Sequence, residues 1–212
     1  MTSEMKQQMQ AAETWLARSD LAAIADMIPM NSKILDLGCG NGELLKALKW
    51  SRQAKVMGVE VDQDKIIECV MNGVPVVQAD LNVELGEFPD NSYDYVILSR
   101  TLQAVKHPDR LLNEMMRIGK NGIISFMNFG QLEARLQILF GHLPVTKSLP
   151  LKWYETTNIH PGTLGDFRDL CKDLQIRIVK EVPLAQKGDF LRHFAKVFPN
   201  LFASNCIFVI GK

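Results

Sequence analysis

At 212 residues the chain has the length of one α/β domain with a sizeable core, and its 47% hydrophobic and 23% charged residues are ordinary for a globular protein and call for no disorder. Lys plus Arg balance Asp plus Glu at 24 each, so there is no basic field to gather nucleic acid or an anionic membrane. The same neutrality leaves little repulsion against a homo-oligomer.

Met5 to Ile28 is rich in Ala, Gln, Met, Leu and Glu, strong helix formers, with Trp15, Leu16, Leu21, Ile24 and Ile28 on an apolar stripe. Ser19-Asp20 reads as a break in it, with Asp20 as a cap. Residues 1–30 are therefore expected to form a helical cover ahead of the first strand. They hold no continuous apolar h-region, and no window approaches the roughly 18 apolar residues of a membrane span. The chain is expected to stay soluble and unexported.

Lys33 to Gly42 reads Lys-Ile-Leu-Asp-Leu-Gly-Cys-Gly-Asn-Gly: a short buried strand, a glycine turn and the start of a helix at Glu43. At Gly38, Gly40 and Gly42 a side chain would hold a ligand off the backbone or forbid the φ the turn needs. Dinucleotide sites use G-x-G-x-x-G with pyrophosphate on the helix N-terminus. Here the spacing is G-x-G-x-G, led by Asp36 and enclosing Cys39, and it resembles the first motif of class I S-adenosylmethionine (SAM) methyltransferases. That ligand has no phosphate, and an acid at the strand end suits its cationic part.

The next strand, Lys55 to Glu60, ends on an acid suited to accepting from ribose hydroxyls. Asp62 caps a helix with Ile66, Ile67, Val70 and Met71 on one face, which Gly73 ends. A third strand, Val74 to Val77, runs toward Asp80, and the resemblance implies that this acid meets the adenine amino group. Tyr93 to Leu98 is the fourth strand, and Ser99 after it falls under the methyl donor. Gln103 suits either substrate orientation or a backbone contact. Pro108 opens a helix with Leu111, Leu112, Met115 and Met116 inward, Gly119 stops it, and Asn121-Gly122 is expected to turn into a fifth strand, Ile123 to Met127. The β-α alternation predicts a doubly wound, mostly parallel Rossmann-like sheet.

Gln131 to Leu143 has a helical apolar pattern at Leu132, Leu136, Leu139, Phe140 and Leu143, expected to pack against the sheet, with partner docking as the sharper reading. Trp153, Tyr154, Asn158 and His160 sit in a loop of groups that pack and hydrogen-bond. His160 is the one side chain there able to act as a base near pH 7, although a structural histidine is the commoner case. Thr163 to Leu174 reads as a capped helix, and Ile176 to Val182 with Ala203 to Ile210 as an antiparallel finish to the sheet. Phe190, Phe194, Phe198 and Phe202 read as core. Cys39, Cys69, Cys171 and Cys206 lack C-x-x-C spacing, so neither metal nor disulfide is expected and a reducing cytoplasm fits.

Leu35-Asp36-Leu37-Gly38-Cys39-Gly40, Tyr93 to Ser99 with Thr101-Leu102-Gln103-Ala104-Val105, Asn128-Phe129-Gly130, Leu143-Pro144-Val145-Thr146-Lys147 and Trp153 to His160 together closely resemble the methionine-biosynthesis protein MetW family, over roughly residues 30 to 210. The resemblance implies a class I methyltransferase fold over residues 31–212, a seven-stranded sheet with an antiparallel last strand. It also implies SAM or S-adenosylhomocysteine at Asp36, Gly38, Cys39, Gly40, Gly42, Glu60, Asp80 and Ser99, and a homoserine O-acyltransferase as partner. Asn128, Trp153, Tyr154, Asn158 and His160 are candidates for substrate or partner contacts. A SAM-dependent methyltransferase of an unidentified small molecule is the alternative, with only His160 and Gln103 as weak catalytic candidates. A NAD-binding dehydrogenase is a third reading, disfavoured by the glycine spacing.

Overall fold

The computed structural model of the chain describes residues 19–83, 85–156, 160–185 and 194–212. Seven strands form one sheet: β1 Lys33–Leu37, β2 Lys55–Glu60, β3 Val76–Gln78, β4 Tyr93–Ser99, β5 Gly119–Met127, β6 Arg177–Leu184 and β7 Asn205–Gly211. Their order is β3-β2-β1-β4-β5-β7-β6, with β7 antiparallel to both neighbours and the remaining pairs parallel. Beyond its first residue β1 is buried throughout, as a parallel central strand covered on both faces must be. Pro183 is tolerated because β6 is an edge strand.

Helices cover both faces. On one lie α1 Ser19–Met27, α2 Glu43–Ser51 and α3 Gln63–Met71, which bring Leu21, Ile24, Leu45, Leu48 and Cys69 against Ile34 and Ile97. On the other lie α4 Pro108–Ile118 and α6 Leu164–Asp173, with Leu112, Met115 and Phe167 against Val96, Ile124 and Phe208. The Phe167 and Phe208 rings sit 4.3 Å apart, centroid to centroid. Between these come α5 Leu132–Leu139 and, before β7, the short α7 Pro199–Phe202. The chain leaves β1 toward β2 and β3 and then returns to β4 and β5, so strand order reverses between β1 and β4. In open α/β sheets ligands bind at the C-terminal end of that reversal.

Local sequence signals account for most element ends. Asp62 caps α3 by accepting from the Asp64 and Lys65 amides, and Thr163 with Asp166 makes a reciprocal capping box on α6. Pro108 stands in the first turn of α4, where its missing N–H costs nothing.

Several expectations are corrected. Asn121-Gly122 is no turn: both residues lie inside β5, opposite Tyr95 and Val96, and the strand starts at Gly119. Gly122 is there for space, since a Cβ would come within 2.7 Å of Ile210 and 2.8 Å of Met115. The third strand starts at Val76, not Val74. On α3 only Cys69 is fully buried, and Ile67, Val70 and Met71 face solvent. On α5 only Ala134 is buried, while Leu132, Leu136 and Leu139, with Phe140 and Leu143 beyond its end, are exposed, because the helix makes no extended contact with any strand. Phe198 is exposed, whereas Phe194 stacks on Phe202 at 5.5 Å. Trp15, Leu16, Asn158 and Phe190 lie outside the described residues.

Candidate functional site

The glycine turn sits at the C-terminal end of β1. Gly38, Gly40 and Gly42 all take left-handed φ, at 77°, 58° and 76°. They are needed for different reasons. A Cβ on Gly38 would stand 2.7 Å from Thr101, and one on Gly42 2.9 Å from the Cys69 sulfur, whereas one on Gly40 would meet nothing within 4 Å. Gly40 therefore opens a cradle, and the other two allow close packing beneath it.

The turn's amides are spoken for by the protein. The Gly38 and Cys39 N–H groups donate to the Val59 carbonyl at 2.8 and 3.0 Å, and Gly42 N–H donates to the Cys39 carbonyl. Gly40 N–H donates to Glu60 Oε2 at 2.8 Å, while Glu60 Oε1 accepts from Val61 and Asp62. A phosphate-binding turn presents such N–H groups to its ligand. Here an internal carboxylate holds the anion's place, which disfavours pyrophosphate and with it the dehydrogenase reading. With three of its roughly four acceptor positions filled, Glu60 keeps capacity for about one hydroxyl.

A cavity of about 390 Å³ opens beside the turn, within the range of small-ligand sites. Asp36, Gly38, Cys39, Gly40 and Ser99 line it, joined by Leu21, Glu43, Lys65 and Glu68. Gly42, Glu60 and Asp80 do not line it. Glu60 acts from behind, through Gly40. Asp80 is exposed at the end of β3, where its Oδ1 accepts from the Asn82 amide and side chain, and Asn82 in turn accepts from Lys106 N–H. Burial first, then the Asp36 carboxylate, pushes the Cys39 thiol far up, and burial raises Cys69, whose sulfur lies 3.8 Å from that of Cys39.

Below the cavity is a polar network that the sequence reading missed. Asp20, fully buried and within α1 instead of capping it, pairs with Arg100 at 3.1 Å and accepts from Ser125 Oγ at 3.0 Å and Ser99 Oγ at 3.4 Å. Asn205 on β7 donates to Ser125 at 3.1 Å. Arg100 takes φ 59° to reach this position, and its N–H donates to the Ser125 carbonyl. The network ties α1 over the ends of β4 and β5. Its signal was present: Asp20 shares a helical face with Ile24 and Ile28, and an acid on an apolar stripe is buried with a partner.

The remaining candidates separate. Gln103 is buried, donating to the Met127 and His160 carbonyls and accepting from Met127 N–H at 2.9 Å, so its amide serves the backbone. Asn128 is equally internal: it donates to the Asn200 and Ala203 carbonyls and accepts from Gly130 N–H, which removes it from any partner surface. His160 is exposed, with Nε2 3.3 Å from the Lys106 carbonyl, and it does not line the cavity. Trp153 and Tyr154 are exposed and stack edge-on at 5.6 Å. No cluster of metal-ligating side chains occurs among the described residues.

The family model of the methionine biosynthesis protein MetW matches residues 18–210. The chain belongs to the MetW family. A bifunctional methionine biosynthesis protein MetXA/MetW from Rhodopirellula baltica is 40% identical over 173 residues, 77% of this MetW-family chain and 28% of that protein. The ubiquinone/menaquinone biosynthesis C-methyltransferase UbiE of Vibrio cholerae is 32% identical over 140 residues, 60% of this chain and 48% of its own length. The chain thus spans less than half of either relative. Among solved structures, a SAM-dependent methyltransferase from Archaeoglobus fulgidus superposes with a TM-score of 0.70 at 18% identity, covering 93% of both chains. The MetW chain therefore has the class I methyltransferase fold.

Proposed function

We propose that this chain is an accessory protein of methionine biosynthesis that associates with a homoserine O-acyltransferase and supports homoserine acylation. The observation that carries the reading is the MetW match across nearly the whole chain, together with a 40% identical relative that holds MetXA and MetW parts in one polypeptide. A cytoplasmic place accords with four free cysteines, two of them adjacent as thiols.

The cavity fits SAM or S-adenosylhomocysteine. The open face of Gly40 admits a ligand against the main chain, the Asp36 carboxylate offers a counter-charge to an ammonium or sulfonium, and Glu60 fixes the turn. Bound SAM supplies an activated methyl group. Asp20 and Arg100 keep α1, with Leu21, closed over this end of the sheet.

The deciding assay is homoserine acylation by the acyltransferase of the same source, with and without this chain, each with and without SAM. A faster rate with the chain is expected, and no change in any arm overturns the reading. The UbiE likeness favours a second one, methyl transfer to a small molecule. A labelled product from SAM and a metabolite extract, lost in Asp36→Ala, would support it.

A further inference from the structure

The exposed side of α5 is built as a groove. Leu136 on the helix, Phe140 at its C-cap, and Leu143 and Val145 on the following segment enclose about 420 Å³, with Glu133, Gln137 and His142 on its rim. Its shape is fixed in advance. Gln137 donates to the Val145 carbonyl at 3.0 Å and accepts from the Val145 N–H at 2.8 Å, clamping the segment to the helix. Buried Gln131 holds the loop beyond through Thr146 and Ser148.

An apolar groove held open by hydrogen bonds gains nothing for the monomer. Leu139 and Phe140 are 76% and 75% exposed, and Leu132, Leu136, Leu143 and Val145 are each more than two-fifths exposed. Leu132, Leu136, Leu139 and Phe140 recur at helical spacing, so these exposed side chains form one apolar stripe with Leu143 and Val145 beside it. The groove lies outside the cavity, whose lining takes no residue of α5.

We propose that this groove docks the homoserine O-acyltransferase, an inference that rests on the function proposed above and adds the surface. The occupant follows from two observations: the stripe is apolar and exposed along its length, and in the Rhodopirellula relative the matched stretch is only 28% of a polypeptide that also holds the MetXA part. The complementary element on the acyltransferase is an apolar segment that inserts between α5 and Val145.

The test is calorimetric titration of the acyltransferase into the wild-type chain, into Leu139→Asp/Phe140→Asp, into the milder Leu143→Ser, and into Met71→Asp on the other exposed apolar face. The double variant is expected to bind at least about 30-fold more weakly and to lose any acylation enhancement, with Leu143→Ser intermediate and Met71→Asp unchanged. Thermal unfolding checks that each variant is folded, as substitutions at exposed positions should leave it. Wild-type binding that the groove variants leave intact, or that only Met71→Asp weakens, overturns the surface and keeps the function. No binding by the wild-type chain overturns both. A wild-type dimer that dissociates in the groove variants while acyltransferase binding is unchanged assigns the face to a second copy instead.

Discussion

Gly40 and Asp20 carry the cavity's two different demands, one for conformation and space, the other for charge. At φ 58°, with open space where a Cβ would project, Gly40 is replaceable by alanine only at the expense of left-handed strain, about 1–2 kcal/mol, and of a methyl group in the cradle. Gly40→Ala is therefore expected to lower Tm by roughly 2–8 °C and to weaken S-adenosylhomocysteine binding at least about tenfold, measured by calorimetry. Unchanged affinity would place the ligand elsewhere. Asp20 makes the opposite argument, because it does not line the cavity and its shorter contacts go to Arg100 and Ser125 beneath it. Asp20→Ala removes the buried carboxylate that pairs with Arg100 and accepts from Ser125 at 3.0 Å, at about 3 kcal/mol, or roughly 6–12 °C in Tm. Asp20→Asn keeps two of the hydrogen bonds and should lose less; equal loss in both would deny the charge any part.

At the opposite end of the sheet one carboxylate joins three strands. Asp94 on β4 accepts from Lys120 of β5 at 2.8 Å and from the Lys33 amide at the start of β1 at 2.9 Å. The Lys120 hydrogen bond first, then the Lys33 amide, holds its carboxyl below the usual range, and the Arg117 contact does the same for Glu114 on α4. Because the folded values lie below the unfolded ones, the stabilisation is complete above the ordinary carboxylate range and is lost as pH falls through the folded values. Tm should be level from about pH 5 to 8 and fall below about pH 4, and Asp94→Asn should lower the plateau slightly and flatten the fall. A fall of equal steepness in the variant would assign the acid transition to other groups. The Asp94 pairing is a tertiary fact with no local signature, whereas Glu114 and Arg117 are an i,i+3 pair on one helix. What was legible was whatever chain-local physics decides: the glycine turn, the Asp62 and Thr163 caps, the parallel alternation and the antiparallel close. Periodicity also found α3 and α5 but misjudged them, since an amphipathic pattern says that a face is to be covered and not by what. On α5 the sheet is not the cover, and α3 lies on the sheet through Cys69 instead of through Ile67, Val70 and Met71. The site was half legible for a related reason: Asp36 and the glycines lie in one short stretch, whereas Leu21, Lys65 and Arg100 reach the cavity or its floor only through packing.

Over the whole molecule, cavity and groove meet at the end of one strand. β5 carries Ser125, bonded to Asp20 beneath the cavity, then Met127, gripped at both its N–H and carbonyl by Gln103. Asn128, Gly130 and Gln131 follow within four residues and lead directly into α5. A ligand that tightens the cavity end of β5 and a partner that seats on α5 thus load the same segment, and linkage requires their effects on each other to be equal. Saturating acyltransferase is expected to raise S-adenosylhomocysteine affinity at least about fivefold, and saturating S-adenosylhomocysteine to raise acyltransferase affinity by the same factor. Both factors come from one set of calorimetric titrations, each run with and without the second ligand. Gln103→Ala breaks the grip on Met127 without touching either surface, so it should reduce the shared factor toward one while each separate affinity changes little. A factor of one already in the wild-type chain would make the protein a scaffold for the acyltransferase; a factor that survives Gln103→Ala would route the coupling through α1 and Asp20 instead of β5.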